Sequence, residues 1–360
     1  MRRLQTFLIS LVAFCASANP AAAGIYRVYT PSDRIETPGA TPLPFRLFRE
    51  ITTKFLQIGN DQLKPNQNRD AYLKATQQLQ GKLRAGTITT DERVTLSEYL
   101  LRLRRFEEAV EVLTPAAAQD RRNFMVFANL ASAHQLAGRL DRAINYLQQA
   151  KDVWPTEWPG FTKEQLRWFQ LAEKYHLRLL RLRYAESIRQ GQRPKNAEGL
   201  DNLFGDNRGP IHFVGESGSY EPGKIDPREQ ARMPAEALPI VQQLLIWFPE
   251  DTRLLWLLGE LYNAHGDLNS AYLLLDDCVW NRHYSDNELR KHWQIIQEAR
   301  PKGEQLALDS PTTDTAQAES PWLPDKRQII IVGGIAGLAV AGLAYLQIRE
   351  VRKRRKASRI

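Results

Sequence analysis

The residues best placed to do chemistry are a serine in a glycine-rich stretch and the residues beside it. Ser217 follows Gly215 and Glu216, and a hydrolase nucleophile elbow needs G-x-S-x-G so that the chain can turn sharply around the serine. Here Ser219 takes the place of the last glycine, and the pattern predicts no helix directly after the serine. The stretch therefore does not predict a catalytic serine.

The six histidines show no metal-binding pattern. None lies beside a cysteine, and none forms the H-E-x-x-H spacing that places two imidazoles on one helix face. No glycine-rich loop ends in Lys-Ser or Lys-Thr to hold phosphate, and no spacing implies paired carboxylates in an enclosed cleft. The sequence predicts no catalytic residue, no metal and no cofactor, so we expect a protein that is not an enzyme.

The formal charge of +8 lies at the two ends of the chain. Arg2 and Arg3 supply two positive charges, and residues 349–360 carry five Arg and two Lys against one Glu, which leaves no net charge between. Nucleic-acid binding needs a basic face on the folded body, and we therefore expect no nucleic-acid partner. A run of arginines at 178, 181, 183, 189 and 193 could attract acidic partners, but interleaved glutamates favour a solvated helix face.

Residues 1–23 have the pattern of a signal peptide. A basic start precedes an apolar stretch at 7–16 and three small residues, Ala21-Ala22-Ala23, that suit signal peptidase. We expect cleavage before Gly24. Cys278 is then the remaining cysteine, which excludes an intramolecular disulfide, and we expect it to pack as a small buried residue.

A membrane span is predicted at residues 328–347. It contains an 18-residue uncharged run at 329–346, about 27 Å long as a helix, against an apolar core of about 30 Å. The basic tail at 348–360 predicts a cytoplasmic C-terminus. We expect a single-pass protein of the inner membrane with a periplasmic body. Gly333, Gly337 and Ala341 form a small-residue row that could pair two spans in a homodimer.

Residues 124–155 carry the clearest helical pattern. One face of a first helix is formed by Phe127, Leu130, Ala131 and His134, and Gly138 marks the turn after it. The buried face of a second helix is formed by Ala143, Leu147 and Ala150, and Pro155 ends this helix. This arrangement resembles the tetratricopeptide repeat, W-x2-L-G-x2-Y followed by A-x3-F-x2-A and P. The resemblance implies an all-α, right-handed solenoid of helical hairpins that binds proteins, here of the bacterial extracytoplasmic, membrane-anchored type.

Alanines at 75, 109 and 143 follow at the repeat interval of 34 residues, as do those at 237 and 271. The expected order is a lead-in and degenerate hairpin at 24–89, two repeats at 90–157, a third at 158–251 split by an insertion at about 190–235, a fourth with a capping helix at 252–300, and a flexible linker at 301–327. Capping pairs are predicted at Thr89 with Glu92, Thr162 with Gln165, and Ser285 with Glu288.

The insertion interrupts the third repeat after a first helix that we expect to run to about residue 189. Its core, residues 199–225, contains a short strand-like run at 211–214. One interpretation is a small β-hairpin packed on the solenoid by Leu203, Phe204, Phe213 and Tyr220. The other is a binding loop, since rigid scaffolds often present functional loops. Its candidate residues are Phe213, Glu216, Ser217 and Tyr220.

The solenoid's concave face, lined by the first helices, is the expected partner-binding surface. Its candidate residues are Asn129, Ser132, Gln135, Gln170, Glu173, Trp256, Glu260 and Asn263. The family's carboxylate clamp needs cations where this chain has Leu166 and Gln170, so we do not expect binding of chaperone tails. The predicted function is a membrane-anchored scaffold or adaptor for envelope proteins. The alternative is an accessory subunit of an envelope enzyme, or such an enzyme itself, with residues 199–225 as its site.

Overall fold

The computed structural model describes Tyr26, residues 39–189 and residues 199–300. In these residues the chain is mostly helical, with twelve α-helices and one small antiparallel sheet. The helices are α1 Phe45–Gly59, α2 Gln67–Arg84, α3 Thr90–Arg102, α4 Phe106–Gln119, α5 Phe124–Leu136, α6 Leu140–Asp152, α7 Lys163–Arg189, α8 Pro227–Gln230, α9 Ala237–Trp247, α10 Thr252–Ala264, α11 Leu268–Asp276 and α12 Asn287–Ala299. Strands β1 Gly205–Asp206 and β2 Gly209–Pro210 pair with Gly205 opposite Pro210.

The predicted signal peptide, linker, membrane span and basic tail lie outside the described residues, as do Gly333, Gly337 and Ala341. Within the described ranges, no helix combines the length and the apolar composition needed to cross a bilayer.

The helices stack as antiparallel neighbours along the chain. Helices α3 and α4 form the first hairpin, α5 and α6 the second, and α10 and α11 the fourth. The third hairpin is α7 packed against α9 across the insertion. Consecutive hairpins contact each other through α4 with α5 and α6 with α7. The prediction of an all-α stack of helical hairpins is therefore confirmed for these residues, with the two-residue strands as a minor addition.

Local chemistry fixes where the helices begin. Thr89 and Glu92 form the predicted capping box, in which the glutamate accepts from the Thr89 N–H at 2.9 Å. The prediction for α12 is wrong by one residue, because Asp286, not Ser285, caps this helix and accepts from two backbone N–H groups at 2.8 and 3.1 Å. A carboxylate at this position also interacts favourably with the helix dipole, which the neighbouring hydroxyl does not.

Helix α1 contacts a hairpin that is distant from it in the sequence. Helix α1 packs against α2 and α3, and also against α9 in the third hairpin. The Arg102 guanidinium on α3 lies over the Phe55 ring of α1, 3.7 Å from the ring centroid. Arg102 also donates to the Ile246 carbonyl of α9 at 2.9 Å. These contacts join the first and third hairpins directly.

Cys278 lies in the π-helical turn Asp277–Asn281 that follows α11, and it is fully buried. Burial raises the pKa of its thiol well above the ordinary value, so the thiolate is not formed near neutral pH. The predicted packing role is confirmed.

Candidate functional site

All eight predicted partner-binding residues lie on the first helices α5, α7 and α10. Together with the first helix α3, these helices present what we call the first-helix face. Most of these residues are covered by other parts of the same chain. Gln170 is exposed and Gln135 is half-buried, whereas the others are buried: Asn129, Ser132, Glu173, Trp256, Glu260 and Asn263. The contacts that cover them show what this face can hold.

Asn129 on α5 holds the backbone of Tyr26. Its side-chain oxygen accepts from the Tyr26 N–H at 2.8 Å, and its side-chain nitrogen donates to the Tyr26 carbonyl at 2.7 Å. The same nitrogen donates to Ser97 Oγ on α3 at 2.9 Å, which fixes the orientation of the amide. Because both hydrogen bonds involve backbone atoms of Tyr26, Asn129 would bind the main chain of any residue other than proline in this position.

The Tyr26 side chain fills a pocket made of four rings. The centroid of the Tyr26 ring lies 5.4 Å from the ring centroid of Phe124, 6.1 Å from that of Trp154, 5.6 Å from that of Phe169 and 6.1 Å from that of Trp247. These rings come from α5, the connection after α6, α7 and the end of α9. Most contacts are edge-to-face, the arrangement that aromatic quadrupoles favour. Tyr26 is 3% exposed, so the pocket encloses it almost completely.

Asn263 on α10 also binds non-helical backbone, here through two residues of the insertion. Its oxygen accepts from the Gly223 N–H at 2.7 Å, and its nitrogen donates to the Glu221 carbonyl at 3.3 Å. The loop is closed where the Asp226 N–H donates to the Val214 carbonyl at 2.7 Å. The insertion therefore covers the first-helix face at α10.

Tyr220 completes this cover by stacking on His292 of α12, with centroids 3.6 Å apart. The fully buried Glu260 accepts from Trp256 Nε1 at 2.6 Å and lies 2.8 Å from His292 Nδ1. Burial and the nearby Glu260 raise the pKa of Tyr220 far above its ordinary value. The Tyr220 phenol therefore stays protonated near neutral pH, and its ring holds the loop against α12.

A third carboxamide lies on α9. Gln242 accepts from the Leu43 N–H at 2.8 Å and donates to the Leu43 carbonyl at 3.0 Å. Its nitrogen also donates to the Tyr262 hydroxyl at 2.9 Å. The segment that leads into α1 is thus held by its backbone, as Tyr26 is.

Glu173 and Gln135 lie in the interface between α7 and α5. His176 Nδ1 is 2.8 Å from a Glu173 oxygen, and the other ring nitrogen of His176 bonds to Gln135 Oε1. Glu173 and His176 are buried. Gln135 therefore bonds across to α7, whereas Glu173 bonds to His176 within α7.

The candidate residues of the insertion are only partly brought together. Phe213 is buried and Tyr220 half-buried, while Glu216 and Ser217 are exposed. Ser217 donates to Glu221 at 2.5 Å, and that hydrogen bond is the main cause that lowers the pKa of Glu221, which makes it a weak base. The strand prediction at 211–214 is wrong, because the hairpin lies at 205–210. Among the described residues, no cluster of His, Cys, Asp and Glu could hold a metal ion.

The expectation of a solvated arginine face on α7 fails at Arg183. Its guanidinium contacts Asp201 of the insertion at 2.5 Å and Asp251 at 2.6 Å, and Arg253 contacts Asp201 at 2.9 Å. Burial alone would raise the pKa of Asp251, but the charge and hydrogen bonds of Arg183 outweigh burial and lower it. The Arg183–Asp251 pair is therefore ionised and joins α7 to the start of α10, while Asp201 ties the insertion to Arg183 and Arg253.

The sequence reasoning missed Tyr26, its pocket and Gln242. The available signal was the concentration of aromatic residues at Trp154, Trp158 and Phe161, which no helical repeat pattern requires. A contact between an irregular segment and helices 103 residues away leaves no periodicity to detect.

Comparison with known proteins agrees with this architecture. Residues 94–159, from within α3 to the aromatic connection after α6, match the family model described as Tetratricopeptide repeat. This segment includes Asn129 and two of the four pocket rings, Phe124 and Trp154. No curated protein matches the chain at a significant level. The resemblance found in residues 124–155 is confirmed.

Proposed function

We propose that this tetratricopeptide repeat protein is a non-catalytic scaffold or adaptor that binds other proteins through its first-helix face. The observation that carries this proposal is the pair of buried amides, Asn129 and Asn263, that hold non-helical backbone on that face. Every peptide offers the same N–H and C=O groups, so the same chemistry suits a partner's main chain. Repeats of this family generally mediate protein–protein interaction, in line with this use.

Site-specific photo-crosslinking tests the scaffold function. A photoreactive amino acid replaces Gln170, which is exposed on the first-helix face, and in a second variant replaces Glu111, which is exposed on the second helix α4. We expect protein adducts from position 170 and few from position 111, because the two positions lie on different helices of their hairpins. Equal adduct patterns from both positions would contradict binding through this face.

The scaffold is proposed to be anchored in the inner membrane by residues 328–347, with its body in the periplasm and residues 348–360 in the cytoplasm. The motivation is the uncharged run followed by a basic tail, together with the signal-peptide pattern of residues 1–23. A Glu111→Cys variant with Cys15→Ser should react with a membrane-impermeant maleimide in intact spheroplasts. Cys278 serves as the internal control, because it is fully buried. Labelling that requires lysis would overturn the topology.

Pairing of two spans through Gly333, Gly337 and Ala341 is proposed as a route to a homodimer, since small residues let helix backbones approach closely. Replacing Gly337 with Ile should lower the crosslinked dimer fraction of the full chain in membranes. Replacing Leu346 with Ile keeps the span apolar and serves as the control. An unchanged dimer fraction in the Gly337→Ile variant would exclude this row as the interface.

The alternative function, an enzyme or enzyme accessory acting through residues 199–225, draws less support from the geometry. Tyr220, Glu221 and Gly223 lie against α10 and α12, and Ser217 bonds to a carboxylate of lowered pKa. Replacing Ser217 with Ala tests it directly. An unchanged phenotype in cells would favour the scaffold, whereas loss of function with an intact fold would favour the alternative.

A further inference from the structure

The Tyr26 pocket is defined as Asn129 together with the rings of Phe124, Trp154, Phe169 and Trp247. We propose that this pocket is the recognition site for a partner segment that presents an aromatic side chain on an extended backbone. Tyr26 is then a tethered internal competitor for the same pocket. This inference rests on the proposed scaffold function and names the chemistry of its partner.

The backbone contact selects an extended segment. Asn129 bonds to both the N–H and the C=O of Tyr26, at 2.8 and 2.7 Å. The two groups of a single residue point to the same side in an extended strand, where they exchange both hydrogen bonds with one partner residue. A helical ligand uses its N–H and C=O groups internally and cannot present both to one amide.

The side-chain contact selects an aromatic residue. Four rings from four different parts of the fold surround Tyr26, and Phe124, Phe169 and Trp247 are themselves buried. An aliphatic side chain would fill part of this volume but would lose the edge-to-face contacts that Phe124, Trp154 and Phe169 make. The pocket therefore discriminates by ring geometry, while Asn129 does not discriminate among side chains.

Topology makes Tyr26 exchangeable. Tyr26 precedes every described helix, so it can leave the pocket without separating any helix pair. Residues 221–223, which Asn263 holds, differ because their loop is closed at Val214 and Asp226 and flanked by the buried Phe213 and Ile225. Of these two backbone-held segments on the first-helix face, Tyr26 is the one that a partner can replace while the stack stays folded.

The competition between Tyr26 and a free peptide should change the peptide's apparent affinity by a measurable factor. A competing segment that belongs to the same chain acts at an effective concentration of about 1 mM, so it weakens the apparent affinity of a free peptide unless it is removed. Removing Tyr26 should therefore tighten peptide binding, whereas a change outside the pocket should not. This sign is opposite to that expected if Tyr26 only supported the fold.

The test uses the full chain in detergent and a fluorescein-labelled peptide of residues 24–30, GIYRVYT, read by fluorescence anisotropy. We expect the Tyr26→Gly variant to bind this peptide about tenfold or more tighter than the wild type. Adding Asn129→Leu to that variant should abolish the gain, as should a peptide in which the residue corresponding to Tyr26 is Gly. A Tyr184→Gly variant, changed at an exposed tyrosine on α7, should behave as the wild type.

Circular dichroism checks that each variant keeps its helical content. If Tyr26→Gly unfolds, Tyr26→Leu is used, because Leu keeps apolar volume but weakens the competitor. A folded variant that does not bind the peptide, or that binds it no tighter than the wild type, overturns the proposal. Persistence of the adducts from position 170 in that case would show that the pocket assignment fails while the scaffold function stands.

Discussion

At the scale of single residues, the carboxamide side chain is the group that organises this molecule. It carries one donor and one acceptor in a plane, which matches the N–H and C=O of one extended residue. Asn129 and Gln242 use this match on Tyr26 and Leu43, whereas Asn263 binds an N–H and a C=O that belong to Gly223 and Glu221. Asn129 and Asn263 were predicted to bind partners, and the structure places both on the chain's own backbone.

His134 gives a pH dependence with a definite sign. It occupies the position of the Tyr in the repeat pattern, stacks on Tyr146 at 5.2 Å and accepts from Arg139 Nε at 2.8 Å through Nδ1. That nitrogen must therefore be unprotonated. Burial first, and then the positive charge of Arg139, lower the pKa of His134 below its ordinary value.

Because the folded pKa is lowered, the unfolded chain takes up the proton first as the pH falls. The stability from neutral His134 is thus present above the ordinary pKa of about 6.5 and lost as the pH falls through the folded pKa. We expect His134→Tyr to lose less unfolding free energy than the wild type between about pH 7.5 and 5.5 in urea titrations. His212→Gln, at an exposed site, should follow the wild type. Parallel curves for His134→Tyr would contradict this account.

Asp201 is expected to be costly to neutralise. It is 2% exposed and contacts both Arg183 and Arg253. Removing one partner of a buried ion pair leaves the other charge uncompensated, so Asp201→Asn should lower the free energy of unfolding by about 3 kcal/mol. Asp61→Asn, at an exposed site, should change it little. Equal midpoints for both variants in denaturant would show that the network contributes nothing net.

At the scale of elements, the long helix α7 and the insertion form one structural unit. Helix α7 has 27 residues, whereas the first helices α5 and α10 have 13 each. The additional turns carry Arg183, which pairs with Asp201 at the start of the insertion. The insertion then continues to α10 and α12 through Asn263 and His292. The interruption of the third repeat thus lengthens the interface between the third and fourth hairpins.

The spacing between α10 and α11 depends on a glycine. A Cβ added at Gly259 would lie 2.6 Å from Leu275 Cδ2, and Leu275 is fully buried. Gly259→Val should therefore destabilise the fold by about 2 kcal/mol, as overpacked cores generally do. The matched control is Gly81→Ala in α2, where nothing lies within 4 Å of the added Cβ. This change should stabilise the fold by about 0.5–1 kcal/mol, and thermal unfolding monitored by circular dichroism measures both.

Periodic features were predictable at this scale, and contacts between periodic and irregular segments were not. The spacing of Ala109 and Leu113 predicts one face of a helix, and Ala143 lies one repeat of 34 residues after Ala109. The length of α7, to about residue 189, followed from the same rule. The contact of Leu43 with Gln242 joins residues 199 positions apart, and no local pattern encodes that distance. The helices that carry the candidate site were therefore predictable, while the segments that cover them were not.

At the scale of the whole molecule, α1 joins hairpins that are not consecutive in the described part of the chain. An open repeat array has contacts only between neighbouring repeats and unfolds approximately one unit at a time. Here Phe55, Arg102 and the Ile246 carbonyl connect α1, α3 and α9. Tyr26 adds a second connection, because its ring contacts Phe124 of the second hairpin and Trp247 of the third. We therefore expect the three hairpins to unfold together.

Phe55 provides the test of this closure. It is 2% exposed, and Phe55→Ala should lower the unfolding free energy by about 3–5 kcal/mol, as for other buried phenylalanines. Hydrogen exchange should show a loss of protection in α9 as well as in α1. Ile188→Ala, on the exposed end of α7, should leave both unchanged. A loss confined to α1 would show that the closing contact does not couple the hairpins.

The pairing of Leu43 with Gln242 has a consequence for synthesis. A chain that emerges N-terminus first must make 199 further residues before the amide that binds Leu43 exists. At about 5–20 residues per second, the apolar side of α1 stays without its final partner for roughly 10–40 s. Nascent α1 therefore waits for α9 of the third hairpin, and the hairpin formed by α10 and α11 is not needed for this contact.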